Sequence, residues 1–123
     1  MAGADIGNQF VKQYYTLFDT DRTQLGRLYA TNVSQLSFEG QQCQGPEAIS
    51  TKLVSLPFKK VTHVLTTVDC QKTVDNKLLI DVLGQLKTDD DPPHSFFQTF
   101  LIAPENGSFV ILNDIFRLSL HQM

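Results

Sequence analysis

The sequence predicts an α+β domain in which short helices come first and a long antiparallel sheet follows. Three observations predict it. Helical apolar spacing is confined to the first half of the chain, and β-rich segments broken by turn residues fill everything after Pro57. Those later strands carry apolar residues on both faces. At 123 residues, the chain suits a single domain, 1–123, with room for a real core.

The elements follow in order. Ile6, Phe10, Tyr14, Leu17 and Phe18 recur at three- and four-residue intervals, with Val11 widening the stripe, which predicts an amphipathic helix over 5–18. Asp19-Thr20-Asp21 supplies a break and a new N-cap for a short second helix bearing Leu25, Leu28 and Tyr29. Gln35 to Gly40 alternates and ends on glycine, the pattern of a strand entering a hairpin. Gly45-Pro46 opens a third helix: proline suits the first turn and Glu47 the positive end of the dipole. Ile49, Leu53 and Leu56 form its stripe, and Pro57 stops it.

Strands are predicted over 58–70, 77–87, 94–102 and 108–119, separated by Asp75-Asn76, an Asp-Pro cluster and Glu105-Asn106-Gly107. Leu78, Ile80, Val82, Gly84 and Leu86 line one face; Leu79 and Leu83 share the other with polar residues. In the last strand Val110, Leu112, Phe116, Leu118 and Leu120 are expected on one face, with Phe109, Ile111 and Ile115 opposite. Three short helices cover only one side of such a sheet. The second apolar side predicts another copy of the chain packed sheet to sheet, a homodimer.

A hydrophobic fraction of 41% with 19% charged residues marks a folded globular chain. Net charge is −3 with no basic stripe, which argues against nucleic acid and anionic membrane surfaces as partners. Cys43 and Cys70 are isolated, so neither a disulfide framework nor a zinc site is expected. The first eight residues lack the regions of a signal peptide, and no apolar run nears the roughly 20 residues needed to cross a bilayer. The expectation is a reduced, intracellular, soluble protein. Nucleotide-binding glycine motifs and the Gly-x-Ser-x-Gly elbow are absent, so no cofactor, metal or catalytic nucleophile is expected.

His63, His94 and His121 fall in separate segments and read as structural or solvent-facing. Asp114 lies on the apolar face of the last strand, where an ionised carboxylate is costly unless paired. A buried acid of raised pKa could act as a general base, but nearby Arg117, Asn113 and backbone donors favour a satisfied structural aspartate. Asp89, Asp90 and Asp91 sit at a hairpin tip, leading through Pro92-Pro93 into Phe96-Phe97-Gln98-Thr99-Phe100. An acidic rim around an apolar concavity suits a partner presenting a hydrophobic anchor ringed by Lys or Arg. The plainer reading is that turns favour Asp and Pro. Glu39, after Phe38, and the segment Leu56-Pro57-Phe58 join the same cavity only if the fold brings them together.

Five short motifs then converge: Tyr14-Tyr15-x-Leu17-Phe18-Asp19-x-Asp21-Arg22, Phe38-Glu39-Gly40-Gln41, Leu56-Pro57-Phe58, Gly84-Gln85-Leu86 with its acidic hairpin, and Asn113-Asp114-Ile115-Phe116-Arg117. In this order they make the chain resemble the nuclear transport factor 2 family, homodimeric carriers of the GTPase Ran, over essentially its whole length. The resemblance implies a curved antiparallel sheet wrapped around the N-terminal helices, forming a cone with an apolar cavity and dimerising through the sheet. It implies that GDP-bound Ran inserts an aromatic side chain into the cavity while its basic residues meet an acidic rim. Carried over by position, the rim is Glu39, Asp89 and Asp91, and the cavity lining is Phe38, Leu56, Phe58, Val61 and Phe116. Binding to phenylalanine-glycine repeat nucleoporins and residence in cytoplasm and nucleus, concentrated at the nuclear pores, are also implied. No turnover of substrate belongs to that role.

Two departures stand out. Phe38 replaces a tryptophan that many members carry, and the chain has no Trp anywhere to assist pore-repeat binding. The cone fold also hosts isomerases and dehydratases, for which Asp114 with Tyr14 or Tyr15 would be the residues to test. A further rival is the small subunit of the messenger-RNA export heterodimer, which needs a larger partner.

Overall fold

The structure, a computed structural model, describes residues 3–119. Leu120 and His121 therefore lie outside the described residues. Helix α1 (Gly3–Thr20) leads into two 3₁₀ turns, Arg22–Gln24 and Gly26–Leu28. The hairpin β1 (Gln35–Phe38) and β2 (Gln41–Gln44) follows, then α2 (Pro46–Val54). Four long strands complete the chain: β3 (Val61–Lys72), β4 (Leu78–Thr88), β5 (His94–Glu105) and β6 (Ser108–Leu118). They form one unclosed, curved sheet of order β2-β1-β6-β5-β4-β3, with α1 laid across its concave side.

Of the stripe read from sequence, Phe10, Val11, Tyr14 and Phe18 are buried in the core, while Ile6 and Leu17 are only partly buried and Tyr15, outside that stripe, joins the buried face. Leu78, Ile80, Val82 and Leu86 of β4 meet them, with Phe96, Phe100 and Ile102 of β5. Phe100 lies edge-on to both Phe10 and Tyr14, at ring separations of 5.6 and 4.9 Å. Each such fully buried apolar side chain contributes roughly 1.5–3 kcal/mol. Gly7 lets the helix sit close to β3, because a Cβ there would come within 2.2 Å of the Cys70 sulfur.

Several expectations are corrected. The predicted second helix is a pair of 3₁₀ turns, the first capped by Asp21, which accepts the Thr23 N–H at 3.2 Å. The break does fall within Asp19-Thr20-Asp21, but α1 runs on to Thr20, two residues beyond the expected end. Leu56 lies past the end of α2, outside its helical stripe. Phe58 to Lys60 are not strand, because their backbone groups are held by side chains and leave the ladder. The sheet is also not wholly antiparallel, since β1 pairs in parallel with β6.

The face assignment in β6 fails for an identifiable reason. Ile102 pairs with Ile111, while Leu101 pairs with Asn113, so Leu112 is an extra residue in a bulge. A bulge exchanges the faces of everything beyond it. Ile111 and Phe116, assigned to opposite faces, are therefore both buried in the cone. A second bulge, between Leu65 and Thr67 of β3, sits opposite Gly84. A Cβ at Gly84 would fall 2.5 Å from the Val64 carbonyl, so only glycine lets β3 bend this closely.

Candidate functional site: an aromatic cavity with an acidic margin

A cavity of about 310 Å³ opens at the end of the sheet where α1 stops. Phe38, Leu56, Phe58, Val61 and Phe116, all five residues expected there, line it. They come from β1, the loop after α2, the start of β3 and the end of β6, so only the fold unites them. Phe38 stacks on Phe116 at 4.5 Å with 12° between planes, and Phe116 in turn stacks on Phe96 at 5.7 Å. This ladder of rings makes a flat, rigid wall, suited to receiving an apolar or aromatic group.

The acids at the margin are bound in different ways. Glu39 occupies the β1–β2 turn with a positive φ of 52°, and its carboxylate accepts the Leu118 N–H. Asp89 opens the β4–β5 hairpin with φ 46° and accepts the Lys60 N–H at 2.9 Å and the Lys59 N–H at 3.2 Å. These backbone donors, Lys60's first, hold its carboxyl below the usual carboxylate range. Asp91 itself lines the cavity, and among the described residues its carboxylate has only a long 3.5 Å contact from the Thr88 hydroxyl. Of the three acids expected at the rim, only Asp91 lines the cavity; Glu39 and Asp89 stand behind it, holding the backbone of Leu118 and of Lys59 and Lys60 beside its lining residues.

Other residues at this end were not expected in the site. Arg22 donates to the carbonyls of Leu53 and Phe58, both at 3.1 Å, and its guanidinium lies 4.8 Å over the Phe58 ring. Of the two readings offered for His63, structural or solvent-facing, the first fits: its side chain is only 2% exposed, bonded to Asp19, and part of the cavity lining. Its Nδ1 lies 2.6 Å from the Asp19 carboxylate, which also accepts the His63 backbone N–H at 3.0 Å. His94 lines the same cavity from β5. The Asp19–His63 contact spans 44 positions, and no local spacing announces it.

Asp114 is placed elsewhere. It is 1% exposed in the core, taking hydrogen bonds from the Tyr29 hydroxyl at 2.6 Å, the Gln98 amide at 2.8 Å and the Tyr14 hydroxyl at 3.4 Å. Tyr15 donates to the other end of Gln98 at 2.7 Å. Burial raises the Asp114 carboxyl to about 6, against the lowering effect of those donors. The partners expected from sequence, Asn113 and Arg117, are not the ones used, because adjacent strand residues point to the opposite face. Neither Asp114 nor Tyr14 nor Tyr15 lines the cavity. The acid an isomerase reading needs is thus separated from the space where a small substrate would sit.

The model of the nuclear transport factor 2 domain matches residues 6–118. The chain belongs to the nuclear transport factor 2 family. It is 46% identical to the nuclear transport factor 2 of Candida glabrata over 116 residues, covering 93% of this chain and 92% of that protein. The structure of nuclear transport factor 2 from Cryptosporidium parvum superposes with a TM-score of 0.91 at 42% identity, covering 95% of this chain and 94% of that one. The yeast complex of deubiquitinase Ubp3 and its cofactor Bre5 contains a chain matching at TM-score 0.85 and 25% identity, covering 98% and 100%. A Streptomyces coelicolor protein, ActVI-ORFA, at 10% identity and TM-score 0.80 shares the fold alone. Membership of this family supports a role in nuclear transport.

Proposed function

We propose that this chain is a non-catalytic, homodimeric import carrier that binds the GDP-bound form of Ran and takes it through nuclear pores by weak binding to phenylalanine-glycine repeats. The observation that carries this reading is an aromatic-walled cavity with Asp91 in its lining, and with Glu39 and Asp89 bound to the backbone next to lining residues. The cavity receives an aromatic side chain of Ran, and the acids orient the basic residues around it. Charge pairs of this kind set register and exclude wrong partners, while the buried anchor supplies much of the affinity. Nucleotide discrimination follows from the conformation of the inserted segment, so the carrier reads the switch without touching GDP.

Homodimerisation is supported by the outer sheet face, where Val64, Leu79, Phe97 and Ile115 are large apolar residues left exposed on one chain. Their spread across four strands suits a flat face-to-face contact. Sedimentation equilibrium gives the oligomeric state; a monomer that dimerises only with a larger protein would favour the messenger-RNA export reading.

Titration calorimetry against Ran loaded with GDP and, separately, GTP tests the whole proposal. Heat with the GDP form alone is the expected result. Silence with both, from a folded dimer, overturns it. Glu39→Gln is a better control than Glu39→Lys, because glutamine keeps an acceptor for the Leu118 N–H while removing the charge.

A further inference from the structure

We infer that Arg22 is a positioning residue that sets the shape of the cavity mouth by clamping the wall segment 53–60, without itself touching the partner. The inference rests on the cavity being the site where Ran docks. The two carbonyls that Arg22 holds, those of Leu53 and Phe58, bracket Leu56, Pro57 and Phe58, all of which line the cavity. Leu53 belongs to the last turn of α2, where its carbonyl has backbone donors from Ser55 and, at a long 3.5 Å, Leu56, and where a cation is favoured by the dipole. Phe58 lies in the loop beyond, so one side chain ties the helix end to the wall that follows it.

The same guanidinium fixes the ring as well as the backbone. It lies 4.8 Å over Phe58 and 6.0 Å from the Phe18 ring, which also lines the cavity. Among the described residues Arg22 forms no ion pair with a carboxylate. Its side-chain hydrogen bonds run to this segment. From the far side, Asp89 completes the clamp: its carboxylate takes the Lys59 and Lys60 N–H groups, and its own N–H donates to the Lys60 carbonyl at 2.9 Å. The wall is therefore gripped by a cation from the helical layer and an anion from the hairpin. Arginine suits this role because its planar fork reaches two carbonyls while stacking on a ring; lysine offers one mobile point charge.

Arg22→Lys keeps the charge and loses the fork, and Arg22→Met removes both. Hydrogen exchange on the free dimer needs no partner: both variants are expected to exchange faster across 54–60 with the rest of the chain unchanged. Unchanged exchange in that segment, or acceleration throughout the molecule, overturns the clamp. Against GDP-loaded Ran, both variants are expected to bind about tenfold more weakly, chiefly through faster dissociation, with the salt dependence of affinity unaltered. Wild-type affinity in Arg22→Lys, with a changed salt slope in Arg22→Met, would show a purely electrostatic role and overturn it. In the double variant with Asp89→Asn, the combined acceleration of exchange across 54–60 should be smaller than the product of the single accelerations, since both residues act on one segment; simple multiplication would overturn the shared clamp. If wild-type protein fails to bind Ran, the docking reading falls, while the exchange result still judges the clamp.

Discussion

The closed half of the cone and its open end hold the same kinds of side chain in opposite situations. In the closed half, Asp114 is surrounded by Tyr14, Tyr29 and Gln98, and the donors and acceptors satisfy one another away from water. At the open end, Asp91 faces solvent across an aromatic cavity, while Glu39 and Asp89 spend their carboxylates on backbone N–H groups. The lesson is that an acid's role here follows from which donors the fold brings to it. A buried, fully bonded carboxylate holds the core together; an exposed one beside an apolar cavity is available to a partner.

The largest effect should come from breaking the closed half. Asp114→Ala removes the acceptor of the Tyr29 hydroxyl and the Gln98 amide, leaving Tyr14 and Tyr29 only each other at 2.9 Å, and is expected to cost about 3–5 kcal/mol in urea unfolding. Whatever fraction remains folded should still bind through the cavity, since Asp114 does not line it. A fully stable variant would mean the network is dispensable and the contrast with the open end is false.

The next effect is one of pH, and its sign separates the two regions. The Asp114 carboxyl rises from 3.8 to about 6 on folding, so the folded state holds this proton more tightly. Its contribution is fully present below the unfolded value and is lost as pH climbs from about 4 to about 6, by roughly 3 kcal/mol at 1.36 kcal/mol per unit. Asp89 has the opposite sign: its carboxyl is lowered by the Lys60 and Lys59 amides, so its contribution is present at neutral pH and fades on acidification. Denaturant midpoints measured across pH 3.5–7 should show the first trend vanish in Asp114→Asn. A profile identical to wild type in that variant would remove Asp114 as its source.

Asp91→Asn sharpens the comparison from the other end. It should leave stability within about 0.5 kcal/mol, because its carboxylate holds no short bond, yet weaken GDP-Ran binding and flatten its salt dependence. Calorimetry at two ionic strengths decides it. Smallest of all, Glu39→Gln should scarcely move the thermal midpoint, while Glu39→Lys should lower it by losing the Leu118 clasp. Equal midpoints for the two would make that clasp irrelevant.

How much was legible beforehand follows the range of each interaction. Apolar spacing at three and four residues revealed the buried face of α1, and strict alternation revealed the inner face of β4, because both report local geometry. Pro46 and Pro57 bounded the second helix region, although α2 ends at Val54 and frees Leu56 for the cavity wall. The bulge at Leu112 was invisible, since it exists only in how β5 and β6 align. The five cavity residues came from the family resemblance, not from their spacing; their meeting at one opening is tertiary.

By itself, then, the sequence determined the order of helices and strands, the doubly apolar sheet and the acidic hairpin, each set by neighbours within a few residues. Only the tertiary structure decided that Tyr29 and Gln98 satisfy Asp114, that Asp19 finds His63, and that Arg22 and Asp89 grip the same wall. The physical reason is distance along the chain. Hydrogen-bond partners 29 to 85 positions apart leave no periodic trace, and burial assigns them only once the sheet has curved around its helix.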